Sequence, residues 1–506
     1  MAESRFDAEV IVVGAGPVGL MLAAELRLGG ARVLVLEQRR SQLNESRAST
    51  LHARTMEIFE SRGLLPEFGA PPVDPVGHFG GIPLDLSVDS PWSGQWKVPQ
   101  TRTEAVLEEW ALDLGVEIRC GHRVTALSGA LTPETGADPG AGVVVDAEGR
   151  EGPVRLRARW LVACDGQDST VRRLTGVAFP GHDALRELIR ADVSGIDVPN
   201  RRFQRLPNGL AIAARRPDGV TRVMAHAFGS GARPRATEPE FAEVVQVWKE
   251  VTGEDISGGT PEWVNAFGDA TRQLERYRHG RVLFAGDAAH QQMPVGGQAL
   301  NLGLQDAHNL GWKLAQVLRV PGREALLDTY DEERRAVGGR TLSNIEAQAR
   351  LLLGGPEVEP LRSVLAEVFT HEPVRALLAG MITGVDVRYP MPEDGGERHE
   401  LLGARLPALD LWCLGGWTSP SDLLRSGCGL LLDLRESGAP DPLDDATGWA
   451  DRITLVTGRQ APADRDSYGP RLDRALLVRP DGHIAWTGTD STGLLDALTH
   501  WFGPAA

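Results

Sequence analysis

The chain has 506 residues, too many for one hydrophobic core, so two or three domains are expected. A hydrophobic share of 42% with 24% charged residues is that of an ordinary globular protein and excludes global disorder. A formal charge of −16 and a pI near 5.3 exclude nucleic acid as the main partner, because a phosphate backbone calls for a basic surface.

The N-terminus runs through charged residues directly into a strand, so no secretory leader is expected. No apolar run approaches the ~20 residues of a membrane span. The cysteines, Cys120, Cys164, Cys413 and Cys428, are far apart and form no C-x-x-C, which suits a reducing cytoplasm and excludes a redox dithiol. A cytoplasmic protein with no membrane partner is expected.

The first element is the apolar, β-branched run EVIVV (Glu9 to Val13), the pattern of a buried parallel strand. Gly14-Ala15-Gly16-Pro17-Val18-Gly19 follows, then a helical stretch, then the strand RVLVLE ending on Glu37. Together they make a β–α–β unit of about 30 residues with the dinucleotide fingerprint. Gly14 permits the tight turn, Gly16 lets the backbone approach a pyrophosphate, and Gly19 lets helix and strand pack closely. Pro17 opens the helix, whose free N–H groups face the phosphates. Glu37, with Gln38 beside it, stands where a ribose hydroxyl is held. An acid there favours a free 2′-hydroxyl, hence FAD or NAD over NADP as the bound nucleotide.

Near the middle, RWLVACDGQDSTVRR places Asp165-Gly166 at the end of an apolar strand and before a helix. RRFQRLPNGLAIAARRPDGVTRVMAHAFG then reads as strands separated by turns at Pro207-Asn208-Gly209 and Pro217-Asp218-Gly219. Further on, strand RVLFA leads into Gly286-Asp287, a loop and the Gly296-Gly297 pair. Leu300, Leu304, Ala307, Leu310 and Leu314 then recur at helical spacing. The start of such a helix offers bare N–H donors and a positive dipole, suited to the N1/C2 edge of a reduced flavin. Asp287 is placed to hold a ribityl hydroxyl. Beyond about residue 395, short strands (GLLLDL, ITLVTG, ALLVRP, HIAWTG) and a closing helix form a further α/β unit.

The GAGPVG unit, the ACDG segment and AGDAAHQQMPVGGQALNLGLQDAHNLGWKLA resemble the class A flavin-dependent aromatic hydroxylases over roughly residues 7–345. The resemblance implies a Rossmann-like α/β FAD-binding fold with an inserted β-sheet substrate domain. The FAD-binding domain would comprise 1–73, 111–175 and 268–395, and the substrate-binding domain 74–110 and 176–267. RPDGHIAW resembles the thioredoxin-like tail of the phenol-hydroxylase branch, giving a C-terminal domain over 396–506 with a structural or homodimer-contact role.

The resemblance further implies FAD as cofactor, NADPH or NADH as transient reductant, and O2 as co-substrate. FAD contacts are implied at Arg47 and Gln100, and around the ring at Pro294, Gly297, Gln298, Ala299, Leu300 and Asn301. Pro294, Gly296 and Gly297 are the expected catalytic backbone. Ala299 stands where the family usually has glycine, and Gln167 and Asp168 replace small and basic residues, leaving the nicotinamide preference open. The implied reaction is aromatic hydroxylation through a C4a-hydroperoxyflavin, which needs a water-excluding pocket. Trp92, Trp96, Met224, Phe228 and Met293 are its expected apolar wall.

The closest resemblance is to hydroxylases of angucycline-, tetracycline- or anthracycline-type polyketides in antibiotic biosynthesis. Baeyer–Villiger oxygenation of the same substrates, or oxidation without oxygen transfer, remain alternatives. A halogenase is disfavoured by the tryptophan spacing in WSGQWKVP, and a non-catalytic FAD-holding partner is the reading from another class. Neither G-x-S-x-G nor H-E-x-x-H occurs, so hydrolytic and zinc chemistry are not indicated. His226, His290 and His308 read as packing or surface residues.

Overall fold

The computed structural model describes residues 6–41, 48–132, 140–235, 237–392, 399–435, 442–461 and 470–506. Strand Ala8–Val13 lies at the centre of the main sheet, paired in parallel with Val33–Glu37 on one side and Gly152–Ala163 on the other. Glu117–Cys120 and Val282–Phe284 extend the parallel array outward on either flank. The inner strands carry almost nothing but buried aliphatic residues, as a sheet covered on both faces requires. Helices Pro17–Leu28 and Gln298–Arg319 pack against one another over this sheet. Helix Gln100–Asp113 also packs on Pro17–Leu28, so residue 110 falls within an element of the nucleotide-binding body.

A second sheet is wholly antiparallel, in the order Arg201–Leu206, Gly209–Arg215, Thr221–Ala227, Glu187–Ser194, Thr260–Gly268. Its first three strands are those expected from the Pro-Asn-Gly and Pro-Asp-Gly turns. Period-two alternation divides its side chains. Ile189, Ala191, Ala213, Val223 and Ala225 pack with Val244 and Trp248 of helix Phe241–Thr252. Leu188, Leu210, Ile212 and Met224 point the other way, onto Met293, Val295 and helix Leu326–Leu353.

The C-terminal unit is a six-stranded mixed sheet in which Gly429–Asp433 and Ile453–Gln460 run parallel, with antiparallel strands outside them. It does not pack independently, however: Leu431, Leu477, Trp486, Trp501 and Phe502 continue the same core that holds the nucleotide-binding strands.

A buried ionic network crosses that junction. Arg479 donates to both oxygens of Glu333, at 2.6 and 2.9 Å, and its Nε donates to Asp481 at 3.1 Å. Lys313 Nζ donates to Glu333 at 2.7 Å, and Asn309 and Trp312 donate to Asp481 at 3.2 and 3.1 Å. Trp312, Tyr389 and Trp501 enclose the Arg479 guanidinium. Two cations face two anions, so the cluster carries no net charge. Burial lowers the Lys313 ammonium to about 8, with Glu333 pulling it back up. Beside it, burial pushes the Glu25 carboxyl up, but Arg62 at 2.7 Å and His308 at 3.1 Å outweigh that and hold it at about 2.

Two measurements follow from this network. Asp481→Ala leaves Arg479 buried without half its compensation, and is expected to cost about 3–5 kcal/mol in urea unfolding. Arg123→Ala, which breaks an exposed pair with Glu148, is expected to cost about 1 kcal/mol or less. Glu25 binds its proton at its ordinary 4.5 when unfolded but only near 2 when folded. The unfolded state therefore holds more protons in that window, and stability from this group falls as pH drops from 4.5 towards 2. Glu25→Gln is expected to flatten the acid limb of a stability–pH curve.

Candidate functional site: an FAD-binding groove

Three parallel strands end side by side, and each delivers a glycine turn to the same edge of the sheet. Ala8–Val13 leads to Gly14, Gly152–Ala163 to Asp165-Gly166, and Val282–Phe284 to Gly286-Asp287. The carboxyl edge of a parallel sheet is where such folds take their ligands. At Gly14 the backbone has φ +104°, and a side chain would come within 2.4 Å of the Cys164 carbonyl oxygen. A side chain at Gly19 would lie 2.0 Å from the Gly14 oxygen. Above Gly16, by contrast, the space is open. Pro17 is the first residue of the helix.

Glu37 at the end of the second strand accepts from the Ala15 N–H at 2.8 Å and from Arg39 N–H at 2.8 Å. It thus fixes the glycine loop and keeps lone pairs for a further donor. Gln38 beside it is exposed. Gln100 is the first residue of its helix, and its Oε1 accepts from Ala48 N–H at 3.2 Å while its N–H donates to Ala48 O at 2.9 Å. Gln100 therefore clasps the segment that leads out of Arg47, which itself lies outside the described residues. Asp165 accepts from Val171 N–H through one oxygen, and its other oxygen is buried with no partner among the described residues. Burial pushes its carboxyl up, against hydrogen bonds from the Ser169 region.

Asp306 organises the far side of the groove. Its Oδ2 accepts from Gly286 N–H at 3.1 Å and from His290 Nε2 at 2.7 Å, and its Oδ1 from Arg334 Nε at 2.7 Å. All three side chains are fully buried. Burial alone would raise the Asp306 carboxyl, but Arg334 and His290 hold it below the usual carboxylate range. One carboxylate on the long helix thereby pins the Gly286–Asp287 turn, leaving Asp287 exposed at the groove. His226 and His308 are also buried.

The long helix spans Gln298–Arg319, with Gly297 as its N-cap at φ +72° and Gly296 before it at φ +65°. Pro294 is exposed just before them, whereas Gln298 and Asn301 are buried and Ala299 and Leu300 half-buried. The Gln298 Nε2 is buried with no partner among the described residues. Open space over Gly16, bare helix N–H groups and unpartnered polar atoms at Asp165 and Gln298 fit a nucleotide with a polar ring edge.

Of the expected substrate wall, Met224, Phe228 and Met293 share one apolar cluster between the antiparallel sheet and helix Leu326–Leu353. Trp92 and Trp96 are not part of it. They pack edge-to-face, 5.4 Å apart, against the nucleotide-domain core. The separation arises because Trp96 pairs with Leu51 on a short strand beside the FAD groove, away from the antiparallel sheet.

Sequence reasoning missed several residues. His52 donates to Gly296 O at 2.7 Å, and nothing in its local sequence marks it. Asp306 lies within the QDA stretch, yet its reach back to Gly286 is a fact of tertiary structure. Phe203 takes φ +48° at a strand irregularity, which drops its ring onto His78, 3.9 Å between centroids.

Comparison with known proteins agrees with this geometry. The profile described as FAD binding domain matches residues 7–344, and that described as aromatic-ring hydroxylase, C-terminal, matches 399–505. The 12-dehydrotetracycline 5-monooxygenase/anhydrotetracycline 6-monooxygenase of Streptomyces rimosus is 43% identical, over 99% of this chain and 100% of that protein. The dialkyldecalin synthase of Streptomyces rugosporus is 36% identical, over 98% and 99% of the two chains. The crystal structure of CabE, an aromatic hydroxylase from angucycline biosynthesis, superposes with a TM-score of 0.91 at 47% identity, covering 99% of this chain and 100% of that one. Among the described residues no helix is long and apolar enough to cross a membrane. Carrying both matched regions in one continuous fold, the chain belongs to the FAD-binding aromatic-ring hydroxylases.

Proposed function

We propose that this protein hydroxylates a polycyclic aromatic polyketide, using FAD, NADPH or NADH as transient reductant, and O2. The observation that carries the reading is the delivery of three glycine turns to one edge of the parallel sheet, with the long helix tied to one of them through Asp306. Relatives whose names specify tetracycline and angucycline substrates support a fused multi-ring phenol as the substrate class.

In this reading the loop from Gly14 to Gly19 receives the FAD pyrophosphate, and the N–H groups after Pro17 donate to it. Glu37 accepts from the ribose, while Asp165 and Asp287 accept from hydroxyls farther along the cofactor. The backbone from Pro294 to Asn301 borders the ring, where helix N–H groups stabilise negative charge on its pyrimidine edge. FAD, once bound, supplies the redox chemistry that takes electrons from the nicotinamide and activates O2. Met224, Phe228 and Met293 exclude water from the side where the aromatic substrate sits. The expected division into FAD-binding, substrate-binding and C-terminal parts assigns the antiparallel sheet to the substrate.

The experiment is anaerobic reduction of the yellow protein with NADPH and with NADH, followed by 18O2 and a panel of polycyclic phenols. The expected product gains one 18O atom on an intact ring. Insertion of that atom into a C–C bond beside a carbonyl would indicate Baeyer–Villiger chemistry instead. Peroxide alone across the panel would favour an oxidase, and FAD that never bleaches would favour the non-catalytic FAD-holding reading. Met224→Asp, which places a carboxylate in the apolar wall, is expected to raise peroxide release per NADPH at least several-fold and lower hydroxylation correspondingly.

A further inference from the structure

The two peptides that precede the long helix are held from outside by two side chains. His52 Nε2 lies 2.7 Å from the Gly296 carbonyl oxygen, which can only accept, so this nitrogen carries the ring proton. His52 is fully buried, and its Nδ1 has no partner among the described residues. Burial, with a smaller push from the Lys97 charge, holds the imidazole at about 4, so the ring is neutral with Nδ1 bare. Asn301 grips the next carbonyl: its Nδ2 donates to Gly297 O at 2.7 Å and to Thr50 O at 3.0 Å. Its Oδ1 accepts from the His52 backbone N–H at 2.9 Å, which joins the two grips into one clasp.

Peptide planarity turns this clasp into a directional device. In a trans peptide the C=O and N–H point in opposite directions. Fixing the Gly296 carbonyl on His52 therefore aims the Gly297 N–H away from His52. Fixing the Gly297 carbonyl on Asn301 aims the Gln298 N–H in the same manner. Both glycines have positive φ, a region they enter and leave at little cost, so an unclasped loop could rotate these donors away. A donor contributes to charge stabilisation only when it is already aimed.

We infer that His52 is a positioning residue whose Nε2–H locks the Gly296–Gly297 peptide, so that the following N–H groups face the pyrimidine edge of FAD. This rests on the FAD reading above. His52 itself acts without touching substrate or cofactor. Its effect reaches the flavin through the peptide, as preferential stabilisation of the reduced, negatively charged ring.

The test compares the FAD-loaded protein with His52→Leu and His52→Gln by spectroelectrochemistry. Full FAD content is expected in each, with the reduced flavin of His52→Leu held about tenfold less tightly relative to the oxidised form. That is a midpoint potential about 30 mV lower for a two-electron couple. Glutamine supplies an N–H of similar reach and is expected to restore most of the shift. An unchanged potential in His52→Leu, or equal shifts in both variants, would overturn the inference. Nitrogen-15 NMR of the wild-type histidines gives a second reading that needs no variant. The Nε2–H tautomer is expected for His52 at neutral pH, and an Nδ1–H tautomer or a charged ring would overturn the clasp. Wild-type protein that takes up no FAD would remove the FAD reading itself, leaving the tautomer to test the clasp alone.

Discussion

Everything at the proposed flavin edge depends on one helix, Gln298–Arg319, being held at both ends by buried polar groups. At its start His52, Asn301 and Asp306 fix the glycine loop and the neighbouring Gly286 turn. Towards its end Asn309, Trp312 and Lys313 are tied into the Glu333–Arg479–Asp481 network. A helix dipole stabilises developing charge only if it is already oriented when the charge appears. Reorientation during the reaction would consume the gain. The sheet supplies the groove, but these two anchorages supply its rigidity.

The second anchorage also gives the C-terminal domain a role that needs no thiol chemistry. Arg479 and Asp481 come from that domain and meet Lys313 and Glu333 from the nucleotide-binding body, all fully or nearly fully buried. Burying charge costs several kcal/mol per ion, so such a cluster is tolerable only when neutral and fully hydrogen-bonded. The arrangement is neutral, with Arg479 donating to both carboxylates and Lys313 to Glu333, and it specifies one docking geometry, since any slip would strand a charge. The shared apolar core, with Trp486, Trp501 and Phe502 joined to the nucleotide-binding strands, adds the bulk of the cohesion without that directionality.

Much of the fold was legible because its signals are local. The β–α–β unit around Gly14, the turns at Pro207 and Pro217, and the amphipathic run after Gly297 each declare themselves within a window of one element. What was not legible is the pairing of distant residues. His52 and Gly296, or Glu333 and Arg479, are separated by 244 and 146 positions, and a single sequence carries no mark of either contact. The same limit explains the split among the apolar candidates. Met224, Phe228 and Met293 share a cluster, whereas Trp92 and Trp96 look equally suitable as residue types and yet sit against another core. RPDG could be read as a family resemblance, but not as the plug that fills the ionic socket.

On the proposed reading, the helix N-terminus, pre-aimed by its clasp, is the contact for the flavin's pyrimidine edge. A crystal structure of the protein with FAD tests this most directly. Backbone N–H groups between Gly297 and Leu300 are expected at about 3 Å from the ring's N1 or C2 oxygen. The Gly296 carbonyl is expected still on His52. A ring that binds elsewhere in the groove, with those N–H groups turned to solvent, would contradict it.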